Sequence, residues 1–450
     1  MVDMPPIFNP VSASPTLTMS SSEDIGLAHN VEITKILIYN HMGEVINVAE
    51  IFLEMNITNS IFEPGIFGSI LIQDTHSILT RLPIIGEEKI EIEFYTPGNL
   101  VKFFRGVIYT VSDILPDAKG AKSSYVIHFC SEEILQNASV HVAKAYTNTL
   151  TANLIVEDIL KSYLNIEKTL VIDPCREIQK ILCIPYLRPY DAIDFMRQRV
   201  KGMDDSASDY FELFERFDGV YFKNIPTLLT APLNKSNNTY RFISDKFSNQ
   251  RDTGLDMFRI ISFKINSRFN TLDKINEGMF NNENFEYSFD DKQIYSDVKS
   301  YRDFKPILGA TKMNTDDYIK RYDQGIAKGL NASLTTFKER RTDQNFQLPK
   351  PAGFYIMNRL TLNQISITIT VPGDSTVDIG DIVSLEIPEF DADPVLVSLD
   401  QQISGRYVIG SMRNFFLTPD KHTMQLDLYK DGFNTPITGM SPKLRENILI

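Results

Sequence analysis

The chain has 450 residues, 43% hydrophobic and 23% charged, the balance of a folded protein and not of a disordered one. At roughly 150 residues per domain, that length predicts about three domains with sizeable cores. Lys+Arg 45 against Asp+Glu 58 leaves a net charge of −13, the wrong sign for a free-standing nucleic-acid binder.

Residues 1–29 hold four Pro, many Ser and Thr, and no Lys or Arg, which predicts an extended N-terminal arm. No basic n-region or continuous apolar core is visible there, so no secretory signal is expected. No apolar run reaches the length of a membrane-spanning helix, so no membrane insertion is expected. From Val31 short β-type runs begin. Ile90, Ile92 and Phe94 alternate with Glu91 and Glu93, and Val107–Val111 and Tyr125–Phe129 follow between turn residues. That spacing predicts a barrel or a sandwich. After Cys130 the period becomes helical, with Leu154, Ile155, Ile159, Leu160, Tyr163 and Leu164 on one face. Pro189 precedes a second helix through Ala192–Met196. Tyr210–Phe214 then leads through Asp218-Gly219 into Val220–Phe222, the clearest hairpin in the chain. Residues 298–351 carry eleven Lys/Arg against six Asp/Glu, and the pattern around Tyr318–Arg341 is helix-like. Strands resume at Gln364–Thr370 and run to about Tyr429.

The two β regions resemble each other. Ile85-Gly86-Glu87 opens one alternating strand and Ile379-Gly380-Asp381 opens another. Gly106 follows Gly86 by twenty residues, Gly405 follows Gly380 by twenty-five, and further strands begin near Tyr125 and Thr423. The spacing predicts a duplication, two similar β units in one chain.

Catalytic constellations are missing. There is no G-x-S-x-G, H-E-x-x-H, Walker loop or G-x-G-x-x-G, so no catalytic, metal or cofactor residues are assigned. The 3 Cys give neither a disulfide framework nor zinc spacing, and reduced, buried thiols are expected. His128 reads as a satisfied, half-buried histidine. The tract Pro372–Asp400, with Asp374, Asp378 and Asp381, holds no Lys or Arg. It reads either as solvated loop edges or as a negative surface that keeps a passing polyanion from sticking. The basic segment reads as a solvated helix face or as a dock for an acidic partner, through Lys320, Arg321, Lys338, Arg340 and Arg341.

Pro185–Pro189, Ala192–Met196 and the Tyr210–Phe222 hairpin, followed late in the chain by Ser404–Ile409 and Leu426–Gly432, resemble the hub family of contractile-tailed bacteriophages. The same fold is known in late-control tail proteins and in the base of type VI secretion spikes. The resemblance implies a homotrimeric baseplate hub without enzymatic activity, made in the host cytoplasm and located in the virion tail. Its six barrels would form a pseudo-sixfold ring joining the tail tube, or a tube-initiator protein, to a trimeric central spike. DNA and the tape measure protein would pass through the ring, the DNA without specific binding, and Asp374, Asp378 and Asp381 would face that lumen. Other baseplate proteins would be neighbours. Apart from the resemblance, the position and apolar ending of 436–450, with Leu444, Ile448 and Leu449, read as a tail that docks on the spike.

The expected architecture is mainly β with α+β parts. It comprises an arm over 1–29 and a first tube-like β-barrel over 30–130, completed by parts of 205–255. A small α/β domain covers 131–204, and a hairpin with returning strands covers 205–257. A second tube-like β-barrel spans 258–435 with a helical insertion at about 298–351, and a tail covers 436–450. A tail-associated cell-wall hydrolase and a glycan receptor-binding tail protein are the alternatives.

Overall fold

The computed structural model describes residues 30–434 apart from 76, 82–83, 97–100, 117–122, 198–199, 201, 204–209, 234–238, 243–255, 289–291, 302–303, 310, 313–328, 336–350, 390–398 and 419. In chain order the strands of the first β region are β1 (Glu32–Tyr39), β2 (Val45–Asn47), β3 (Phe52–Ser60), β4 (Glu63–Asp74), β5 (Lys89–Tyr95), β6 (Lys102–Pro116) and β7 (Ser123–Cys130). Alternation does what the sequence predicts in β5, where Ile90, Ile92 and Phe94 are buried. Each such side chain contributes about 1.5–3 kcal/mol by leaving water.

A middle unit follows. It contains β8 (Val142–Thr151), β9 (Leu170–Ile172), β10 (Glu177–Leu187), β11 (Phe211–Arg216) and β12 (Gly219–Asn224), with helices at Glu132–Ser139, Ala152–Ser162 and Pro189–Arg197. The periodic Ile155, Ile159 and Leu160 pack with Ala192, Ile193 and Met196 of the third helix, and with Phe211, Leu213 and Phe222. The hairpin ladder runs from Phe211–Asn224 to Arg216–Gly219, so its two-residue turn is Phe217-Asp218, one residue earlier than the Asp-Gly expected. Gly219 is needed for another reason: a Cβ there would lie 2.4 Å from the Thr169 carbonyl oxygen, which accepts from Val220 N.

Strands β13 (Thr239–Arg241), β14 (Ser262–Ser267), β15 (Asn281–Ser288), β16 (Gln293–Ser300), β17 (Gly329–Thr335), β18 (Ile365–Pro372), β19 (Ile382–Glu386), β20 (Gly405–Leu417) and β21 (Lys421–Lys430) complete the chain. Their pairing bears on three expectations. No closed barrel is found among the described residues. Both β regions instead lie in one 13-stranded sheet, whose main path runs β14-β18-β21-β20-β3-β4-β7-β6-β5-β1-β2. Of the strands in 205–257, β11 and β12 pair with each other and with β9 while Phe217 packs on the first region's core, and β13 pairs with β19. The described part of the helix-like stretch, Gly329–Thr335, is a strand, since it pairs parallel to β15 beside the β15–β16 hairpin. Ladder hydrogen bonds to β15 satisfy that backbone in place of the helical bonds that Gly325 and Gly329 weaken. A helix does follow at Pro351–Leu362, outside most of the expected range.

The duplication extends to register. The order β3-β4-β7-β6-β5 recurs as β14-β18-β21-β20-β19. Val107 pairs with Cys130 and Ile108 with Phe129, then the ladder slips before Thr110. Val408 pairs with Tyr429 and Ile409 with Leu428, then the ladder slips before Ser411. Entry into each ladder is the same: Glu87 N donates to Ile108 O (2.8 Å) and Ile108 N to Glu88 O (2.9 Å), while Gly380 N donates to Ile409 O (2.7 Å) and Ile409 N to Asp381 O (3.0 Å). The structural counterpart of Gly380 is therefore Glu87, one residue beyond the Gly86 landmark. A β-bulge at a shared position in two strand pairs is a designed feature and not noise.

Candidate assembly interface between the two beta regions

The chain's two halves meet along one antiparallel ladder. Ser411–Leu417 of β20 pairs with Ser60–Glu54 of β3, although some 350 residues separate them. Both elements read as half-buried strands, and the seam buries a shared aromatic group. Phe416 packs into the first region's core, its ring 4.8 Å from Phe94, and it stacks on His422 at 4.3 Å. Gly373 leaves the room for that imidazole, because a Cβ would come within 2.0 Å of it.

Charge closes the seam. Asp378 accepts from Asn59 Nδ2 at 3.1 Å and from Lys102 Nζ at 2.7 Å, both in the first region, and Arg216 Nε stands 3.9 Å away. Arg216 also donates to Asp381 at 3.2 Å. Burial alone would raise the Asp378 carboxyl, but Lys102 and Arg216 outweigh it and hold the group below its ordinary value. For Asp381 burial wins over Arg216, and its carboxyl is raised. Thr96 and Ser375 add a buried hydroxyl pair at 2.9 Å across the same junction.

These positions correct the acidic-surface expectation. Asp374 is 5% exposed and Asp378 fully buried, so neither offers free charge to a channel. Asp381 keeps a small exposed margin and is spoken for by Arg216. The physical reason is that partners inside the chain take up the carboxylates, Asn59 and Lys102 at Asp378, Thr376 at Asp374 and Arg216 at Asp381, beside the buried Val377, Ile379 and Ile382. Lys320, Arg321, Lys338, Arg340 and Arg341 lie outside the described residues, as do the arm 1–29 and Leu444, Ile448 and Leu449. Of the thiols, Cys130 and Cys175 are buried, but Cys183 is exposed, against expectation. His128 bonds Ser112 Oγ at 2.9 Å, and burial lowers its pKa.

Sequence reasoning missed two further groups. Lys168 stands between Glu133 (2.9 Å) and Glu215 (2.5 Å) beside a cavity of about 570 Å³ that also reaches Arg105, Phe217 and Asp218. Burial would lower Lys168, but the two carboxylates overcome it and raise its pKa. With both acids bound to one ammonium, the cluster ties the Glu132–Ser139 helix to the hairpin. Further on, the Asp431 carboxylate accepts from the backbone N–H of Ile307 (2.5 Å), Leu308 (3.0 Å) and Gly309 (2.8 Å). It pins the start of the basic segment onto the end of β21. Among the described residues no group of three or more His, Cys, Asp or Glu could hold a metal ion, and no helix is long and apolar enough to cross a membrane.

No protein-family model and no curated protein matches the sequence. Solved structures do match in fold. A tail protein from Neisseria meningitidis MC58 aligns over 91% of this chain and 99% of its own, with 12% identity and a TM-score of 0.54. The 43 kDa tail protein of prophage MuSo2 from Shewanella oneidensis aligns over 89% and 100%, with 10% identity and a TM-score of 0.51. Nearly the whole length of each is thus matched at identities that speak for fold alone, and the fold of this chain is that of phage tail proteins.

Proposed function

We propose that the chain is a structural hub of a contractile phage tail. Three copies assemble into a ring of six related β units that adapts a sixfold tail tube to a threefold central spike. The observation that carries this reading is the register-matched duplication. A chain with two equivalent units turns threefold assembly into approximate sixfold symmetry, which a hexameric tube can meet. The likeness to tail proteins along the whole chain supports the same reading. In the ring, DNA and the tape measure protein pass along the axis, and the spike, tube and other baseplate proteins dock at its faces. With Asp374 and Asp378 turned inward, easy passage of DNA rests on the net charge of −13 per chain and not on that tract. The role is mechanical, and the chain itself cleaves nothing.

Mass measurement tests the reading. Light scattering of the purified chain, together with copy number in the tail, is expected to give three. Six or twelve copies per virion, with a stable monomer in solution, would contradict it. Robust peptidoglycan cleavage that one carboxylate substitution abolishes would overturn the non-enzymatic role.

A further inference from the structure

The internal seam uses one edge from each half of the chain, and the chain holds the counterparts of both edges. The far half of β20, Ser411–Leu417, has β21 on one side and β3 on the other. Its counterpart in β6, Thr110–Pro116, pairs with β7 alone among the described residues, because β5 ends opposite Val107. Likewise β3 lies between β4 and β20, whereas its counterpart β14 pairs with β18 alone and ends the sheet among the described residues. Bare edges are templates for further strand pairing. These two are also greasy: Tyr109, Ile114 and Leu115 are exposed along β6, and Ile261, Ile265 and Phe269 at or beside β14.

We infer that the β6 extension of one copy pairs antiparallel with β14 of the next, repeating between chains the ladder that β20 and β3 make within one. The register follows from equivalences already described. Leu115 and Phe415 both lie opposite matched β7 and β21 positions, Ser124 and Thr423. Lys264 and Asn56 both lie opposite matched β18 and β4 positions, Thr368 and Ser69. Since Phe415 faces Asn56, Leu115 faces Lys264 of the next copy. Pro116 then ends the shared ladder, a place where its missing N–H costs nothing. The contact is heterologous, so repetition closes a ring when the rotation between copies is threefold. The inference rests on the hub reading for the number of copies only.

The seam between chains differs from the internal one in its chemistry. Ile85, three residues before Glu88, occupies the place that Asp378 holds three residues before Asp381, and it is 76% exposed. An apolar contact therefore stands where the chain itself has an ion-paired clasp. The bulge around Asp113, at φ +53°, also bends the β6 edge as β20 is not bent. The seam between chains consequently lacks the buried ion pair that fastens the internal one.

Disulfide trapping in the full chain tests the pairing. In a Cys183→Ser background, Leu115→Cys with Lys264→Cys brings two thiols to directly opposed positions, where bridging is geometrically allowed. Oxidation is expected to yield covalent species up to three chains, while Met42→Cys with Lys264→Cys yields none. A trimeric mass without the 115–264 bridge would overturn the seam and spare the hub. Bridged species that grow past three chains would keep the seam and overturn the trimer. A monomer at every concentration, without bridges, would overturn both. Leu115→Lys with Ile265→Lys alters exposed sites only and sets like charge against Lys264, so it is expected to weaken association at least tenfold with unchanged thermal unfolding. Unchanged association in this variant would overturn the seam.

Discussion

In the first β region β20 covers the outer edge of β3, and β1 runs antiparallel against β5. In the second, β14 has no outer partner among the described residues, and β13 runs parallel against β19. Between those margins the five-strand ladders match down to the bulge. The inner strands are held on both sides and packed on a core, where a slip of one residue would turn every side chain inside out. The margins carry no such constraint, so duplicated units can differ there and acquire distinct partners. The difference also reaches the interior at one position. Lys430 closes the inward row of β21, its Nζ donating to Ser404 O (3.0 Å) and Asn434 Oδ1 (2.8 Å). Its counterpart in the first region is the neutral Ser131, whose hydroxyl accepts from Ile66 N at 2.9 Å.

The largest test of this comparison severs the clasp that joins the regions. Asp378→Ala strands Lys102 and the Arg216 guanidinium near a buried site, and it is expected to cost about 3–5 kcal/mol in urea denaturation. Next comes the titration that only the second region carries. Burial pulls Lys430 from 10.5 down to about 8. Between those values the unfolded chain keeps a proton that the folded chain has released, so stability rises with pH across about 8 to 10.5, and the gain is absent below pH 8. The rise is on the order of 3 kcal/mol. Lys274, also lowered to about 8, titrates in the same window, so the diagnostic is the difference between the parent and Lys430→Met. That difference is expected to move in the parent's favour as pH rises, read from urea midpoints at pH 7.5 to 10. The smallest effect sharpens the equivalence itself. Ile70 and Ile369 are both fully buried at matched ladder positions. Ile70→Val and Ile369→Val are each expected to cost about 0.5–1.5 kcal/mol, equal within about 0.5 kcal/mol if the units are true counterparts.

Much of the mainly β architecture is legible in the sequence, because alternation in Ile90–Phe94 and helical spacing in Ile155–Leu160 are local signals. The duplication is legible too, though the glycines are poor rulers. Gly86 and Gly380 both adopt positive φ, yet they sit one ladder step apart, since turns tolerate glycine at more than one place. The seam is not legible, because Phe416 and Met55 meet only through folding and no local pattern announces their pairing. The acidic tract misleads for a related reason. Counting its charges hides the fact that Asp378 lies between Val377 and Ile379 and is buried with them. Its neutralising partners Lys102 and Arg216 come from distant elements. Gly329–Thr335 misleads because helical periodicity in a short, glycine-bounded stretch yields to an available strand edge on β15.

Phe416 sets an order of events for synthesis. The first region's core is one aromatic ring short until residue 416 has been made, and β3 has no outer partner until then. An emerging chain thus carries an unpaired edge through most of its translation. Such non-local pairing is slow to form and exposed to misassociation. The same dependence is protective once the chain is complete. A truncated product lacking β20 cannot finish its first half, because its core would lack Phe416 and its β3 edge would stay open.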